Sequence, residues 1–120
     1  KKAKLNDVGL FALWLLMENN RTLQKLVLKG TGVGKQYEDS AGLAKMFYTS
    51  TALTSLDLRS NEFGNAGLGA LVRALACGGA PSLARADLRS NSAITKVGCT
   101  MLQGLTMVRR TLEISVDGAE

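Results

Sequence analysis

Histidine is absent from this sequence of 120 residues, which also contains only one proline and two cysteines. Because imidazole is the commonest general base and the commonest ligand of transition metals, its absence disfavours most enzyme chemistry. We therefore expect no enzyme, no metal site and no cofactor. Cys77 and Cys99 lie far apart within apolar-periodic segments, and we expect them to be buried free thiols in a reducing compartment. An intracellular, cytoplasmic protein fits this pattern, and a large cytoplasmic or cytoskeletal complex would be one setting for it.

Long apolar runs are also lacking. The longest, from Val8 to Met17, has ten residues, whereas a membrane-spanning helix needs about 20. A signal peptide would end in a small-residue cleavage site, but the run is followed by Glu18, Asn19 and Asn20. The sequence therefore predicts neither a signal peptide nor a membrane partner.

Acidic residues are fewer than basic ones, 10 against 15, which gives a net charge of +5. This excess favours a partner with an acidic patch. Dense clusters of lysine and arginine are missing, and aromatic residues make up only 5% of the chain. Because single strands of nucleic acid need aromatic platforms for stacking, this composition disfavours a nucleic-acid partner. No linker-like stretch divides the chain, so we expect a single domain.

The clearest feature that is present is an internal repeat. The segments TLQKLVLKGT, ALTSLDLRSN and SLARADLRSN begin at positions 22, 52 and 82, and TLEISVDGA at 111 is a degenerate fourth copy. A second, glycine-centred landmark follows the copies at 40–43, 65–68 and 96–99, and it also occurs at 7–10. A period of this length indicates a solenoid of repeated units.

Each unit combines two periodicities. Leu56 and Leu58 alternate with polar residues, which is the period of a short strand with one buried face. After the landmark, Leu68, Leu71 and Leu75 follow helical spacing. Strand and helix thus alternate along the chain, and right-handed crossovers would stack the strands in parallel.

The frame L-x-x-L-x-L-x-x-N, carried by LTSLDLRSN at 53–61 and by 83–91, resembles a leucine-rich repeat of the ribonuclease-inhibitor-like subclass. The resemblance implies an α/β horseshoe solenoid with a concave parallel β-sheet and α-helices on the convex side, over residues 1–120. It also implies that Asn61 and Asn91 bond the backbone of neighbouring turns. Two departures are Ala86 in place of leucine and Thr31 in place of asparagine, whose role Thr31 can fill only in part.

The segment KGTGVGKQ at 29–36 looks like a phosphate-binding loop. Its spacing fails, because Lys29 stands five residues before Gly34, where that loop needs glycine, and Gln36 replaces the metal-binding hydroxyl. We predict a glycine-rich insertion in a repeat loop, extended by residues 37–39. The insertion is either a tolerated surface loop or a local binding element.

Asp57 and Asp87 occupy equivalent positions of adjacent strands, which superficially suits acid–base catalysis. Arg59 and Arg89 follow each of them by two residues, on the same face, and Arg85 flanks Asp87. We therefore expect the arginines to neutralise these carboxylates, so that the pairs are structural rather than catalytic.

Outward positions of the strands form a candidate partner-binding surface on the concave face. Its predicted residues are Lys25, Lys29, Asp57, Arg59, Arg85, Asp87 and Arg89. Lys29, Arg59 and Arg89 would form a basic column beside the two aspartates. A face that neutralises itself and meets only solvent remains the alternative.

These features favour a protein-interaction or scaffolding module within a larger assembly. A regulatory protein that inhibits an enzyme or activates a GTPase is the alternative that the resemblance implies. The predicted helix around Phe11, Trp14 and Leu15 is apolar nearly all round, and the last strand has no helix after it. We expect both ends to contact other protein, and the chain to be a segment of a longer solenoid or protein.

Overall fold

The computed structural model describes residues 21–117 as an alternation of short strands and helices. The strands are β1 (Lys25–Val27), β2 (Ser55–Asp57), β3 (Arg85–Asp87) and β4 (Glu113–Ser115). The helices between them are α1 (Tyr37–Met46), α2 (Asn65–Ala76) and α3 (Lys96–Val108). The predicted helix around Phe11, Trp14 and Leu15 lies outside the described residues.

The four strands form one parallel sheet in the order β1-β2-β3-β4. The sequence repeat sets the register, because Leu26, Leu56, Ala86 and Ile114 are successive partners across the sheet. Each helix is the crossover that returns the chain to the start of the next parallel strand. The predicted alternation is confirmed, including the degenerate fourth strand.

The core lies between the buried side of the strands and the helices. Leu56 and Leu58 of the second repeat are 2% and 1% exposed. The predicted helical positions Leu68, Leu71 and Leu75 are buried in the same cluster. Neighbouring helices pack on each other in chain order, α1 against α2 and α2 against α3. Every unit therefore completes its core with the next one, as a stacked repeat requires.

Asparagine side chains join neighbouring repeats beneath the turns that follow the strands. The Oδ1 atom of Asn61 accepts the backbone N–H groups of Thr31 at 2.9 Å and Gly32 at 2.8 Å. Its Nδ2 donates to the carbonyl of Leu28 at 2.8 Å. Asn91 repeats the pattern by accepting the N–H of Asn61 at 2.9 Å. The bonding role that the resemblance implied for both asparagines is thus confirmed.

Thr31 fills the asparagine position only in part, as expected. Its hydroxyl donates to the carbonyl of Leu28 at 2.8 Å within its own turn. A threonine hydroxyl has one donor hydrogen and lacks the carbonyl and NH₂ groups of an asparagine, so this position donates its N–H to Asn61 and does not extend the series of asparagines.

The glycine-rich insertion packs against the following repeat. Val33 is fully buried, and the N–H of Gly34 donates to the carbonyl of Asn61 at 3.0 Å. The predicted extension of the insertion through 37–39 is wrong, because Tyr37 begins helix α1. Glu38 and Asp39 lie in the first turn of this helix, where negative charge is favoured by the helix dipole.

The expected burial of the two thiols is also wrong, although both cysteines are free. Cys77 is exposed because it follows the last turn of α2, beyond the face that packs on α1. Cys99 is partly exposed because α3 is the last described helix, packs on α2 from one side, and has only the short β4 as its other described neighbour. In residues 21–117 no helix combines the length and the apolar character needed to cross a bilayer.

Candidate functional site

The outward side of the sheet, which we call the strand face, presents three rows of side chains. In each of β1 to β3 only the central residue is buried, so its two neighbours point outward. A third row lies two residues after the last residue of each strand. It continues the sheet because backbone hydrogen bonds, such as the one from the N–H of Leu58 to the carbonyl of Asp87, extend beyond the strands. The rows are Lys25/Ser55/Arg85/Glu113, Val27/Asp57/Asp87/Ser115 and Lys29/Arg59/Arg89/Asp117.

Two arginine–aspartate forks occupy the centre of the strand face. The Nε and Nη2 atoms of Arg59 donate to the two carboxylate oxygens of Asp57 at 3.0 and 2.7 Å. Arg89 and Asp87 repeat this geometry at the same two distances. A bidentate contact of this kind fixes the plane of both groups. The predicted neutralisation of each aspartate by the arginine two residues on is confirmed.

A cross-strand contact joins the two forks. Nε of Arg59 lies 3.5 Å from Oδ2 of Asp87, so the charges alternate in sign along the sheet. The hydrogen bond from Arg59 holds the pKa of Asp57 below its usual range, and Arg89 has the same effect on the pKa of Asp87. Both carboxylates therefore stay ionised to a lower pH than an ordinary aspartate does.

The turns that end β2 and β3 help to hold the forks. Ser60 and Ser90 both have positive φ angles, 59° and 63°, immediately after the arginines. This left-handed conformation is uncommon for a residue with a Cβ atom. It turns the chain so that the following asparagine side chains enter the core while the arginines remain on the strand face.

Arg85 differs from the prediction. It does not flank Asp87 in an ion pair, because its Nη2 atom lies 3.8 Å from Oε1 of Glu113 in the next strand. The row register brings these two residues side by side on β3 and β4. Both side chains are largely exposed, so the pair contributes little to stability.

The sequence analysis did not identify the two acidic residues at the β4 end of the strand face, Glu113 and Asp117. Glu113 contacts Arg85, and the carboxylate of Asp117 accepts the backbone N–H of Ser90 at 2.7 Å. The signal was available in the degenerate copy at 111–119, where Asp117 falls at the position of Arg89. Extending the rows to that copy would have found both acids.

The predicted basic column is consequently divided. Arg59 and Arg89 are held by aspartates, whereas Lys25 and Lys29 form no ion pair within residues 21–117. Between these lysines stands Val27, an apolar side chain that is 53% exposed. The strand face is thus basic and partly apolar at β1, neutral in the middle and acidic at β4.

Across the described range, 21–117, no cluster of three histidine, cysteine, aspartate or glutamate residues could hold a metal ion. The side chains of the strand face supply guanidinium and ammonium cations, carboxylates and one exposed apolar group. Their arrangement is suited to contact with another macromolecular surface.

A family model described as Leucine Rich repeat matches residues 49–72, which contain β2 and the first two turns of α2. A search of the curated proteins found no match. The family match, together with the parallel sheet and its three crossover helices, supports a leucine-rich repeat protein with an α/β fold. Leucine-rich repeats generally mediate contacts between proteins and are typically not enzymes.

Proposed function

We propose that this chain is a protein-interaction module that scaffolds a larger intracellular assembly and binds its partner through the strand face. In this proposal the strand face is the concave side of a horseshoe solenoid of the ribonuclease-inhibitor-like subclass. The observation that carries it is the contrast between the fixed Asp–Arg forks and the exposed Lys25, Val27 and Lys29 beside them, whose two lysines form no ion pair with a residue of the described range 21–117.

The forks give a partner a surface that is ordered before binding. Association normally costs the entropy of immobilising long side chains. Arg59 and Arg89 have already lost that freedom through their bidentate contacts. A partner with alternating charges could therefore contact them at a reduced entropic cost, and the alternation would reject surfaces of a single sign.

The β1 end supplies the attraction. Lys25 and Lys29 can each donate a hydrogen bond to a carboxylate of the partner, and Val27 can be buried between them. Exposed apolar side chains surrounded by charged ones are common anchors of protein interfaces. The partner proposed here thus carries an acidic patch with an apolar centre. A regulatory role, as an inhibitor or a GTPase activator, has no specific support among residues 21–117.

The experiment compares capture by two charge-matched variants of the full chain. Immobilised wild-type protein, Lys25→Glu/Lys29→Glu and Lys35→Glu/Lys96→Glu would be exposed to a native cell extract, and bound proteins would be identified by mass spectrometry. Lys35 and Lys96 are exposed residues away from the strand face, so the control has the same net charge. We expect the same partner on wild type and control and its loss from Lys25→Glu/Lys29→Glu. Equal capture by both variants would contradict binding through the strand face.

A further inference from the structure

On the helix side of the molecule, α1 and α2 leave an open groove of ≈ 240 Å³ between them. Its floor is made of alanine side chains from both helices, Ala41, Ala44, Ala70 and Ala74. Two helices that meet through alanine leave the space that longer side chains would fill. We call this feature the helix groove.

The next pair of helices carries a larger side chain at the equivalent position. In the aligned landmarks Leu68 corresponds to Cys99, so Ala70 of α2 corresponds to Met101 of α3. Met101 is partly buried, and its sulfur lies 3.8 Å from the place where a Cβ atom on Gly69 would stand. Met101 thus packs over Gly69 between α2 and α3. The shorter Ala70 does not fill the corresponding space between α1 and α2, which stays open.

Aromatic residues stand at the two ends of the helix groove. Tyr37 and Tyr48 line it and are 53% and 52% exposed. They are eleven residues apart, which corresponds to about 16 Å at the helical rise of ~1.5 Å per residue. An extended peptide advances by about 3.3 Å per residue, so roughly five residues would span the distance.

The charge of the helix groove has one sign. Lys45 and Arg73 line it, and no carboxylate does so in the described part of the chain. Neither of them forms an ion pair with any residue from 21 to 117. Arg59 and Arg89 on the strand face are, by contrast, occupied by aspartates. The helix groove therefore offers two uncommitted cations beside an apolar floor.

We propose that the helix groove binds an acidic, extended segment of a partner protein. An apolar or aromatic side chain of that segment lies on the alanine floor between Tyr37 and Tyr48. Carboxylates on either side of it contact Lys45 and Arg73. This is a second binding surface, on the opposite side of the fold from the strand face, and it does not depend on the function proposed above.

The first test uses a peptide of the stated chemistry, acetyl-Glu-Phe-Glu-Leu-Glu-amide, and the same peptide with lysine in place of glutamate. The full chain, labelled with ¹⁵N, is titrated with each peptide at low salt, and amide chemical shifts are followed by NMR. We expect saturable shifts at Ala41, Ala70 and Arg73 with the acidic peptide only. Equal binding of the lysine peptide, or shifts confined to the strand face, would overturn the proposal.

The second test fills the helix groove from within. Ala70→Met places in it the side chain that covers the neighbouring pair of helices, and Ala76→Met adds the same side chain at an exposed position of α2 outside the groove. We expect Ala70→Met to weaken binding of the acidic peptide by at least about tenfold, because the methionine fills the space above the alanine floor. Ala76→Met should bind as wild type does. Unchanged affinity in Ala70→Met would overturn the proposal.

Two further variants keep the test decisive if Ala70→Met does not fold. Tyr48→Ala removes one end of the groove, and Lys45→Gln/Arg73→Gln removes both cations. We expect each to weaken the acidic peptide by about tenfold, and the residual binding of the double variant to lose its dependence on salt. If the affinity is unchanged in both, the helix groove is not the binding site.

Discussion

The side-chain oxygen of Asn91 accepts the backbone N–H of Asn61 at 2.9 Å, although thirty residues separate them in the chain. Asn61 in turn accepts the N–H groups of the repeat before it. Each asparagine is therefore an acceptor for the preceding repeat, and the position of one side chain determines where the next backbone segment lies. This linkage holds the turns that carry the strand face at a constant spacing.

Asn61→Ala should destabilise the protein strongly. The side chain is fully buried, and its loss leaves the N–H groups of Gly32 and Val33 without an acceptor and removes one donor from the carbonyl of Leu28. Since each orphaned buried group costs about 1–3 kcal/mol, we expect a loss of about 3 kcal/mol or more. Urea denaturation of wild type and variant measures it. Ser92→Ala, at an exposed position, is the control, and a loss in Asn61→Ala as small as in that control would contradict the role.

The Asp–Arg forks should make stability depend on pH in the acidic range. The hydrogen bonds from Arg59 and Arg89 lower the pKa of Asp57 and the pKa of Asp87 in the folded state, from the ordinary 3.8 of the unfolded chain. The folded state then binds fewer protons, so the contribution is fully present above pH 3.8 and is lost as the pH falls through the lower folded values. Urea midpoints at pH 7 and pH 3 measure the loss.

Removing the forks tests this assignment. Asp57→Asn/Asp87→Asn and Arg59→Gln/Arg89→Gln break the same hydrogen bonds from opposite sides. Both variants should show a smaller drop in stability between pH 7 and pH 3 than wild type shows. If only the aspartate variant differs, the arginines are not the cause of the lowered pKa values.

The repeat in the sequence was sufficient to predict the sheet, since Leu26, Leu56 and Ile114 can be buried together only if the strands are parallel and in register. The positions of Asn61 and Asn91 followed from the same alignment. These features depend on burial of the same kind of residue at the same place in each unit, which a single sequence displays directly.

Features that do not repeat were not predictable in this way. Arg85 was assigned to Asp87 from its distance in sequence, but Glu113 of the next strand is its partner. The helix groove arises because Ala70 and Met101 differ at equivalent positions, and its volume depends on how closely two helices approach. The choice among several nearby partners, and the space left by small side chains, are properties of the packed structure.

Gly34→Ala and Gly104→Ala should have opposite effects. A Cβ atom on Gly34 would lie 2.5 Å from Cγ of the buried Phe63 and 2.7 Å from the carbonyl oxygen of Asn61. We expect this crowding to cost about 1–3 kcal/mol. Gly104 lies inside α3 with no neighbour within 4 Å of its Cβ position, so alanine there should stabilise by about 0.5–1 kcal/mol. Thermal unfolding of both variants checks the signs, and stabilisation by Gly34→Ala would contradict the packed insertion.

Arg109 is a structural cation that the repeat did not reveal, because the equivalent residues of the two preceding repeats are Ser50 and Ala80. Its guanidinium donates to the carbonyls of Gly79 and Ala80, both at 2.7 Å, and burial lowers the pKa of this group. Ala80 also has a positive φ of 44°, so the turn it forms needs support.

Arg109→Met should therefore loosen the connection between α2 and β3. The variant keeps the apolar stem but removes the side-chain donor of the Gly79 carbonyl and leaves the Ala80 carbonyl with the N–H of Leu83 alone, for which we expect a loss of about 2 kcal/mol. Hydrogen exchange should show faster exchange at Gly79, whose N–H bonds the carbonyl of Ala74 in the same turn. Arg110→Met changes the exposed neighbour and should leave both the stability and this exchange rate unaltered. Equal effects of the two substitutions would show that charge alone, and not the two carbonyl contacts, accounts for the change.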